Sequence, residues 1–393
     1  MSTVAPVAPA LERVSSVRIS PDNETTLAQL GLLAELAGTW SGQGFNLIAR
    51  PDFEGNANLY LQLNQTRETL KADPISSAIP NRGFGQDDIE LFGLTYLDKI
   101  SDVFTGGALH IEPGIWVTQP PTNYPPETGG TQSGAQIVAR MASIPHGNSV
   151  LAQGVATPFT GAPTLKTATA EYNGSAFPSF NSTPFPIPAS GLPTLNAAGS
   201  SEKLTAPVAP GFQQYDLTVP ESAANPRTPF GTSPPDPALP ANIHGVPMQD
   251  VVNDPIKLLQ KTVQEQVASG HTFEGTVLNI ATQAKIQFFE KANAKAGDPK
   301  VTVSPTNGAG GIENILFLEG GEPSGSKGPN ADTALVYATF WLERVSHPER
   351  QPFMQLQYAQ MVILNFGILL AGAGAPVLGW PHISVGTLRK TFG

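Results

Sequence analysis

The sequence predicts an all-β protein: an antiparallel β-barrel with a short N-terminal helix, one central helix and a long Pro-rich insertion. Three observations favour this fold class. The 393 residues include 39 glycines and 38 prolines, which favours turns over long helices. Short runs rich in β-branched and aromatic residues recur, each bounded by Gly, Pro, Asn or Asp. In several of these runs, apolar and polar residues alternate, as they do in a strand with one buried and one exposed face.

The strand-like runs form two groups, separated by a segment of different composition. We expect residues 1–25 to be a disordered arm, 26–157 the first part of the barrel, 158–270 an insertion with a helix, and 271–393 the second part of the barrel. Residues 158–255 are rich in Pro, Ser, Thr and Asn but also carry aromatic residues. We therefore expect this segment to wrap over the barrel, with full disorder as the alternative.

The individual elements follow from local patterns. Residues 26–37 predict a helix in which Leu27, Leu30, Leu33 and Leu36 form one apolar face, and Gly38 ends it. The central helix starts after Asp254, an N-cap residue, and ends at Gly270. The predicted strands cover residues 39–48, 59–63, 91–97, 108–118, 136–142, 149–156, 214–219, 272–281, 315–318, 334–345, 353–364 and 382–388.

Composition excludes several classes of function. The net charge is −10, and the sequence contains no cluster of Lys and Arg, so we expect no nucleic-acid partner and no anionic membrane surface. The absence of cysteine excludes thiolate nucleophiles, disulfides and iron–sulfur clusters. We recognise no signal peptide and no apolar run of about 20 residues, which predicts a cytoplasmic protein. The oligomeric state stays open, with a homodimer among the options.

His382 is the candidate metal ligand. It opens the last apolar strand, in the run Trp380-Pro381-His382-Ile383-Ser384-Val385. An imidazole at the start of a barrel strand can reach the barrel mouth and hold an iron from one side. The alternative is a structural histidine whose hydrogen bonds are satisfied at the strand end.

His110 and Glu112 are the candidate catalytic residues. They lie two positions apart in a predicted strand, so their side chains face the same side, and Trp116 follows on that side if the strand is regular. A histidine and a carboxylate on one face can orient a peroxide or another small ligand. A buried, hydrogen-bonded His–Glu pair that stabilises the barrel is the alternative.

Three segments together resemble nitrobindin, the small heme-binding β-barrel family. Leu30-x-x-Leu33-x-x-Leu36-Ala37-Gly38-Thr39-Trp40-x-Gly42-x-Gly44 resembles the N-terminal signature of that family. Ala108-Leu109-His110-Ile111-Glu112-Pro113-Gly114 resembles its His-x-Glu-x-Gly strand. Leu356-x-Tyr358, followed by His382-Ile383-Ser384-Val385-x-Thr387-Leu388, resembles its closing pair of strands.

The resemblance implies a cofactor and an activity. The family binds heme b, interacts with nitric oxide and isomerises peroxynitrite to nitrate on ferric heme. By this resemblance His382 would be the axial ligand of the iron, and His110 would line the barrel interior on the opposite side of the porphyrin or close to it. The resemblance also implies that Trp40, Tyr358, Gln360 and Val362 line the cofactor pocket, and a peroxidase-like reaction is the other activity considered.

The chain departs from the family in ways that affect the pocket. The chain is more than twice the usual length of the family members. The family has a methionine on the pocket face of the strand that holds Leu356 and Tyr358, but Met361 is out of phase with these residues here, so Gln360 or Val362 would take its place. About twenty residues separate this strand from His382, where the family has a tight connection.

Two other functions remain open from the sequence. Gly38-Thr39-Trp40 also occurs at the start of lipocalins, so the barrel is alternatively a carrier of an apolar small molecule without heme. A structural or interaction protein that binds partners through residues 158–255 is the third possibility.

Overall fold

The chain forms a closed antiparallel β-barrel of ten strands. This computed structural model describes residues 23–52, 57–81, 89–118, 136–144, 148–165, 185–186, 240–282, 286–289, 300–303, 311–314, 332–367 and 377–391. The predicted strands 214–219 and 315–318, and most of the insertion, lie outside these residues.

The helices and strands follow one another along the chain. The helices are α1 (Asn23–Leu30), a 3₁₀ helix (Gly31–Leu36), α2 (Met248–Asn253) and α3 (Ile256–Ala268). The strands are β1 (Gly38–Asp52), β2 (Ala57–Pro74), β3 (Ile79–Asn81), β4 (Ile89–Asp102), β5 (Ala108–Thr118), β6 (Gln136–Ile144), β7 (Asn148–Thr160), β8 (Phe185–Pro186), β9 (Asn242–Ile243), β10 (Val246–Pro247), β11 (Thr272–Ala281), β12 (Ile286–Phe289), β13 (Lys300–Val303), β14 (Gly311–Asn314), β15 (Asp332–His347), β16 (Arg350–Gly367) and β17 (Val377–Thr391).

The barrel closes between its first and last strands. The strand order around it is β1-β2-β4-β5-β6-β7-β11-β15-β16-β17, and β17 pairs with β1 from Thr39↔Thr391 to Ile48↔His382. Closure leaves no free sheet edge among these ten strands. The central insertion is accommodated between β7 and β11, which are neighbours in the barrel.

The closing pair of strands is longer than predicted. β16 and β17 pair without a register shift from Gln355↔Arg389 to Gly367↔Val377. Residues 365–367 and 377–381 before His382 are therefore strand, and residues 368–376 between them lie outside the described part of the chain. Because the register is regular, His382 lies directly opposite Val362.

Two apolar clusters lie on opposite faces of the barrel wall. The inner cluster fills the barrel interior and includes Leu30, Trp40, Leu94 and Leu356. The outer cluster packs α2, α3 and the β9–β10 hairpin against the outside of the wall and includes Leu259 and Met361. Both faces of several strands are thus covered, one by the barrel interior and the other by the helices.

The N-terminal helix seals one end of the barrel, and its geometry differs from the prediction. It begins at Asn23 rather than residue 26, so residues 23–25 do not belong to a disordered arm. From Gly31 it continues as a 3₁₀ helix, whose three-residue turn places Leu30, Leu33 and Leu36 in one buried row. Leu27 belongs to the preceding α-helical part and is 40% exposed, so its predicted place on the apolar face was wrong.

Within the described residues, no helix combines the length and apolarity needed to cross a bilayer.

Candidate functional site

A cavity of about 140 Å³ lies inside the barrel above the N-terminal seal. Leu36, Leu70 and Leu356 border it near the sealed end, whereas Ile48 and His382 border it further along β1 and β17. Alternate residues of the barrel strands face it, as the two-residue period of a strand requires. The cavity is therefore lined by side chains from eight strands: β1, β2, β4, β5, β6, β15, β16 and β17.

His382 lies at the end of the cavity away from the seal. It is paired with Ile48 of β1 and Val362 of β16, and both of these residues also border the cavity. Its Nε2 atom is 3.1 Å from the carbonyl oxygen of Ala49. The backbone of the neighbouring strand thus fixes the orientation of the imidazole.

The lining beside His382 is mixed. Ile48 and Val362, which pair with it, are apolar, whereas Ser384, two positions further along β17, is polar, and all three border the cavity. His110 borders the same cavity from β5 and pairs in register with Ile100. Two histidines from separate parts of the wall thus border one cavity.

A buried polar network occupies the wall on the β4–β5–β6 side. Glu112, 1% exposed, receives a hydrogen bond from the Tyr96 hydroxyl and an ion pair from Arg140, and its Oε2 lies 3.1 Å from Nε2 of His110. Nε of Arg140 also donates to the Tyr96 oxygen at 2.8 Å. Nη1 of Arg140 reaches β16 and donates to Oε1 of Gln360 at 2.7 Å. The network therefore connects strands that are not neighbours in the barrel.

The network keeps Glu112 and Arg140 charged in spite of burial. Burial acts to raise the pKa of Glu112, but the charge of Arg140 and the hydrogen bonds from His110 and Tyr96 outweigh it and lower the pKa to about 2. Burial acts to lower the pKa of Arg140, yet Glu112 and Tyr96 raise it above its ordinary value. Glu112 is thus a permanent hydrogen-bond acceptor at neutral pH and carries no proton to deliver.

A second acidic group lies on the opposite side of the network. Glu68 of β2 is 2% exposed, and its Oε2 accepts a hydrogen bond of 2.5 Å from the Tyr358 hydroxyl of β16. Burial raises the pKa of Glu68 to about 7, with the hydrogen bond from Tyr358 acting in the opposite direction. Burial, followed by the charges of Glu68 and Glu112, raises the pKa of Asp98 well above its ordinary range. Both carboxyl groups therefore keep a proton to a higher pH than an exposed carboxyl group does.

Glycines make room for the two tyrosine rings. Tyr96 pairs with Gly114 and Tyr358 pairs with Gly386 across adjacent strands. A Cβ atom at Gly114 would lie 2.5 Å from the Tyr96 ring, and one at Gly386 would overlap the Tyr358 ring. Each ring can lie flat over the backbone only because its neighbour has no side chain.

The structure brings most of the predicted site residues together. His110, Glu112, Tyr358, Gln360, Val362 and His382 all border the cavity. The register of β16 has no shift between Phe353 and Ile363, so Met361 packs in the outer cluster while Gln360 and Val362 face inward. Trp40 is outside the cavity lining: it is fully buried, and its Nε1 donates to the carbonyl of Leu36 at 2.8 Å as part of the seal.

Sequence reasoning missed six polar residues of the cavity: Asn46, Glu68, Tyr96, Asp98, Arg140 and Ser384. Each is an isolated polar or aromatic residue in a strand, where the usual expectation is that polar side chains face water. In β2 the outward positions Leu61 and Leu63 belong to the outer cluster, so the polar face points inward. The one indication that the polar face of β2 points inward is the position of the β1 glycines, because Gly42 and Gly44 pair with Glu68 and Thr66 on that face.

Among the described residues, no group of three or more His, Asp or Glu side chains is arranged to hold a metal ion. A metal held by His382 would therefore need its other ligands from a cofactor such as a porphyrin.

Comparisons with known proteins leave the family of this chain open. No protein-family model and no curated protein matches it. Among solved structures, the crystal structure of Rv2717c from M. tuberculosis aligns with 93% of this chain and 98% of that chain, at 9% sequence identity and a TM-score of 0.31.

Proposed function

We propose that the barrel binds heme b at the His382 end of its cavity, with His382 as the axial ligand, and acts on small oxidants or nitrogen oxides. The observation that carries this proposal is the position of His382, whose imidazole borders the cavity between Ile48 and Val362. The resemblance of the His382 strand to the nitrobindin closing strand supports the same assignment.

The donor chemistry around His382 fits a heme iron. A histidine that binds a metal through one ring nitrogen usually donates the N–H of the other to a carboxylate or a backbone carbonyl. The contact between Nε2 of His382 and the Ala49 carbonyl is of this type. When bound, ferric heme would supply an iron to which small oxidants or nitrogen oxides can bind.

The cavity volume limits the cofactor that the site can enclose. At about 140 Å³, the cavity is smaller than the ~300–1,000 Å³ of pockets that enclose drug-sized ligands. A porphyrin is larger than this cavity, so binding it would require additional space beside His382. The network of Glu112, Arg140 and Gln360 would be part of the polar lining of such a site.

The roles of His110 and Glu112 follow from the same geometry. Glu112 holds His110 through the contact between its Oε2 and Nε2 of His110. Because Glu112 stays ionised, we propose His110 as the proton-exchanging group toward a substrate and Glu112 as the residue that positions it.

Titration of the purified full-length chain with hemin tests the proposal. We expect a Soret band that saturates near one hemin per chain and is lost or shifted in His382→Ala. His347→Ala is the matched control, since His347 lies at the end of β15 and does not border the cavity. An identical Soret band in the wild type and His382→Ala would overturn the assignment of His382, and the absence of a saturable Soret band in the wild type would favour the carrier function without heme.

A further inference from the structure

A second cavity, of about 320 Å³, lies on the outside of the barrel, between α3 and the paired strands β1 and β17. We call it the outer cleft. Leu258 and Leu259 of α3 border it on one side, and Val385 and Thr387 of β17 border it on the other. Val385 belongs to the outer cluster and Leu388 to the inner one, so the odd-numbered residues of this part of β17 face outward. The barrel wall therefore separates the outer cleft from the cavity that His382 borders.

Four polar side chains form one contiguous group on the wall of the outer cleft. Arg389 and Thr387 are successive outward positions of β17, and the register sets Ser41 opposite Arg389 and Gln43 opposite Thr387. All four border the cleft. Residues two positions apart on a strand are about 7 Å apart, and directly paired residues are about 5 Å apart. One ligand of modest size can therefore contact several of these side chains at once.

Arg389 and Thr387 have hydrogen-bond donors for a ligand. The guanidinium of Arg389 stacks on the ring of Phe353, with Cζ 4.0 Å from the ring centroid. Stacking covers one face of the guanidinium and leaves its N–H edge available for two parallel hydrogen bonds. The hydroxyl oxygen of Thr387 accepts a hydrogen bond of 2.9 Å from Nε2 of Gln357, so its own hydrogen can be donated to another group.

The charge of the outer cleft favours an anion. Among the described residues that border it, Arg389 and His244 are basic, and none is Asp or Glu. The ion pairs within the described part of the chain do not include Arg389. A carboxylate of a ligand would therefore supply the counter-charge, in the two-pronged geometry that a guanidinium prefers.

Hydrogen bonds hold α3 over the outer cleft. The side-chain amides of Gln266 in α3 and Gln355 in β16 exchange two hydrogen bonds, of 2.8 and 3.2 Å. Gln355 is the residue that pairs with Arg389, so this contact fixes the helix beside the guanidinium. Nε2 of Gln357 also donates to the carbonyl oxygen of Leu259 at 3.4 Å. The outer cleft is therefore preformed, as most ligand pockets are.

We propose that the outer cleft binds a small organic carboxylate with an apolar body. Arg389 and Thr387 hold the carboxylate, and Leu258, Leu259 and Val385 contact the apolar body. The volume of about 320 Å³ is at the lower end of the ~300–1,000 Å³ of ligand pockets, which suits a molecule of about 12 non-hydrogen atoms. The site lies outside the barrel and does not depend on the heme proposed for the interior.

Isothermal titration calorimetry of the full-length, hemin-free protein at pH 7.5 tests this proposal with 4-phenylbutyrate as the probe. For a ligand of this size we expect a saturable dissociation constant of about 0.3 mM. The amide 4-phenylbutanamide has the same shape but no charge, and we expect it to bind about tenfold more weakly. Absence of saturation by 4-phenylbutyrate up to about 5 mM, or equal affinity for the two probes, would overturn the proposal.

Matched variants locate the binding. In Arg389→Gln we expect the affinity for 4-phenylbutyrate to fall about tenfold and the affinity for the amide to stay unchanged. Arg344→Gln makes the same change at an exposed arginine of β15 that does not border the outer cleft, and it should bind both probes as the wild type does. Wild-type affinity for 4-phenylbutyrate in Arg389→Gln would show that the carboxylate binds elsewhere, for example inside the barrel, and would overturn the assignment.

A more conservative variant keeps the test decisive if circular dichroism shows that Arg389→Gln does not fold. Arg389→Lys retains the charge but cannot form two parallel hydrogen bonds with a carboxylate. A loss of about threefold or more in this variant supports the site, and an unchanged affinity overturns it.

Discussion

Tyr358 and Glu68, 290 positions apart in the sequence, are joined by a hydrogen bond of 2.5 Å across the barrel interior. The bond connects β16 to β2, which are separated by β17 and β1. It forms over a stretch of wall made of Gly42, Gly44 and Gly386, where no side chain blocks the approach. The glycines of β1 and β17 thus allow an interior contact that the strands alone would prevent.

Tyr358→Phe should destabilise the protein more at high pH than at low pH. The Tyr358 hydroxyl lowers the pKa of Glu68, which is already raised to about 7 by burial, so its loss raises that pKa further. We expect the free energy of unfolding to fall by about 1–3 kcal/mol at pH 8, where Glu68 is ionised and needs the donor, and by less at pH 5. Urea unfolding followed by circular dichroism measures both values.

A double-mutant cycle separates this hydrogen bond from the packing of the ring. In Glu68→Gln the acceptor has no charge, so the additional loss on Tyr358→Phe should be smaller than in the wild type and should not change between pH 5 and pH 8. Equal losses in both backgrounds would mean that the hydroxyl contributes nothing through Glu68.

Gly386→Ala should displace the Tyr358 ring. A Cβ atom at position 386 would overlap that ring, and overpacking of this kind costs about 1–3 kcal/mol of unfolding free energy. The loss should be partly recovered in Gly386→Ala/Tyr358→Leu, because the smaller side chain leaves space for the methyl group. If the double variant loses more unfolding free energy than the two single variants lose together, the steric explanation is wrong.

The strand content of this fold could be predicted because most strands alternate or end at clear turn residues. The predicted strand 272–281 coincides with β11, and 108–118 coincides with β5. Leu356 and Tyr358 of β16 both border the cavity, on the face that the family resemblance assigns to the pocket. The run 59–63 was too short as a prediction of β2, since Asn64 to Lys71 are mostly polar residues of low strand propensity.

The candidate site was predicted only where residues lie close together in the sequence. His110 and Glu112 are two positions apart, so one strand places them together. Arg140 completes their network from β6 and lies 28 positions after Glu112 in the chain. The pairing of β5 with β6, which sets Trp116 opposite Arg140, is a property of the folded sheet that no local pattern contains.

Glu112→Gln should be among the most destabilising changes in the barrel. It leaves the buried guanidinium of Arg140 without its counter-charge, which typically costs about 3–5 kcal/mol of unfolding free energy. Glu112→Leu/Arg140→Met removes both charges, so it should be more stable than Glu112→Gln. Denaturant unfolding of the three proteins at pH 7 provides the comparison, and a double variant as unstable as Glu112→Gln would contradict the ion-pair argument.

The same ion pair predicts acid sensitivity. Glu112 has a pKa of about 2 in the folded protein, below its ordinary 4.5. Because the unfolded state then binds the proton more tightly, the contribution of Glu112 is fully present above pH 4.5 and is lost as the pH falls toward 2. Glu112→Gln should therefore show a flatter decline of stability between pH 5 and pH 3 than the wild type. Parallel declines would argue against a depressed pKa.

Glu343 should make the protein less stable as the pH rises. This residue of β15 is fully buried, its Oε2 accepts a hydrogen bond of 2.6 Å from Gln355, and its Oε1 has no partner among the described residues. Burial raises its pKa from 4.5 to about 8, against the effect of the Gln355 hydrogen bond. The folded state therefore holds the proton more tightly than the unfolded state, and stability is lost as the pH rises from 4.5 through 8.

Replacement by glutamine isolates this effect, because Glu343→Gln keeps the shape and an acceptor for Gln355 but cannot ionise. We expect the variant to be as stable as the wild type near pH 5 and more stable by a few kcal/mol at pH 8, at about 1.4 kcal/mol per unit of pKa shift. Glu274→Gln on the neighbouring strand β11 is the control, since that carboxylate is 61% exposed and should give no pH-dependent gain. A constant difference between Glu343→Gln and the wild type from pH 5 to pH 8 would show that Glu343 does not titrate in this range, and that its buried carboxyl group is held in one protonation state throughout.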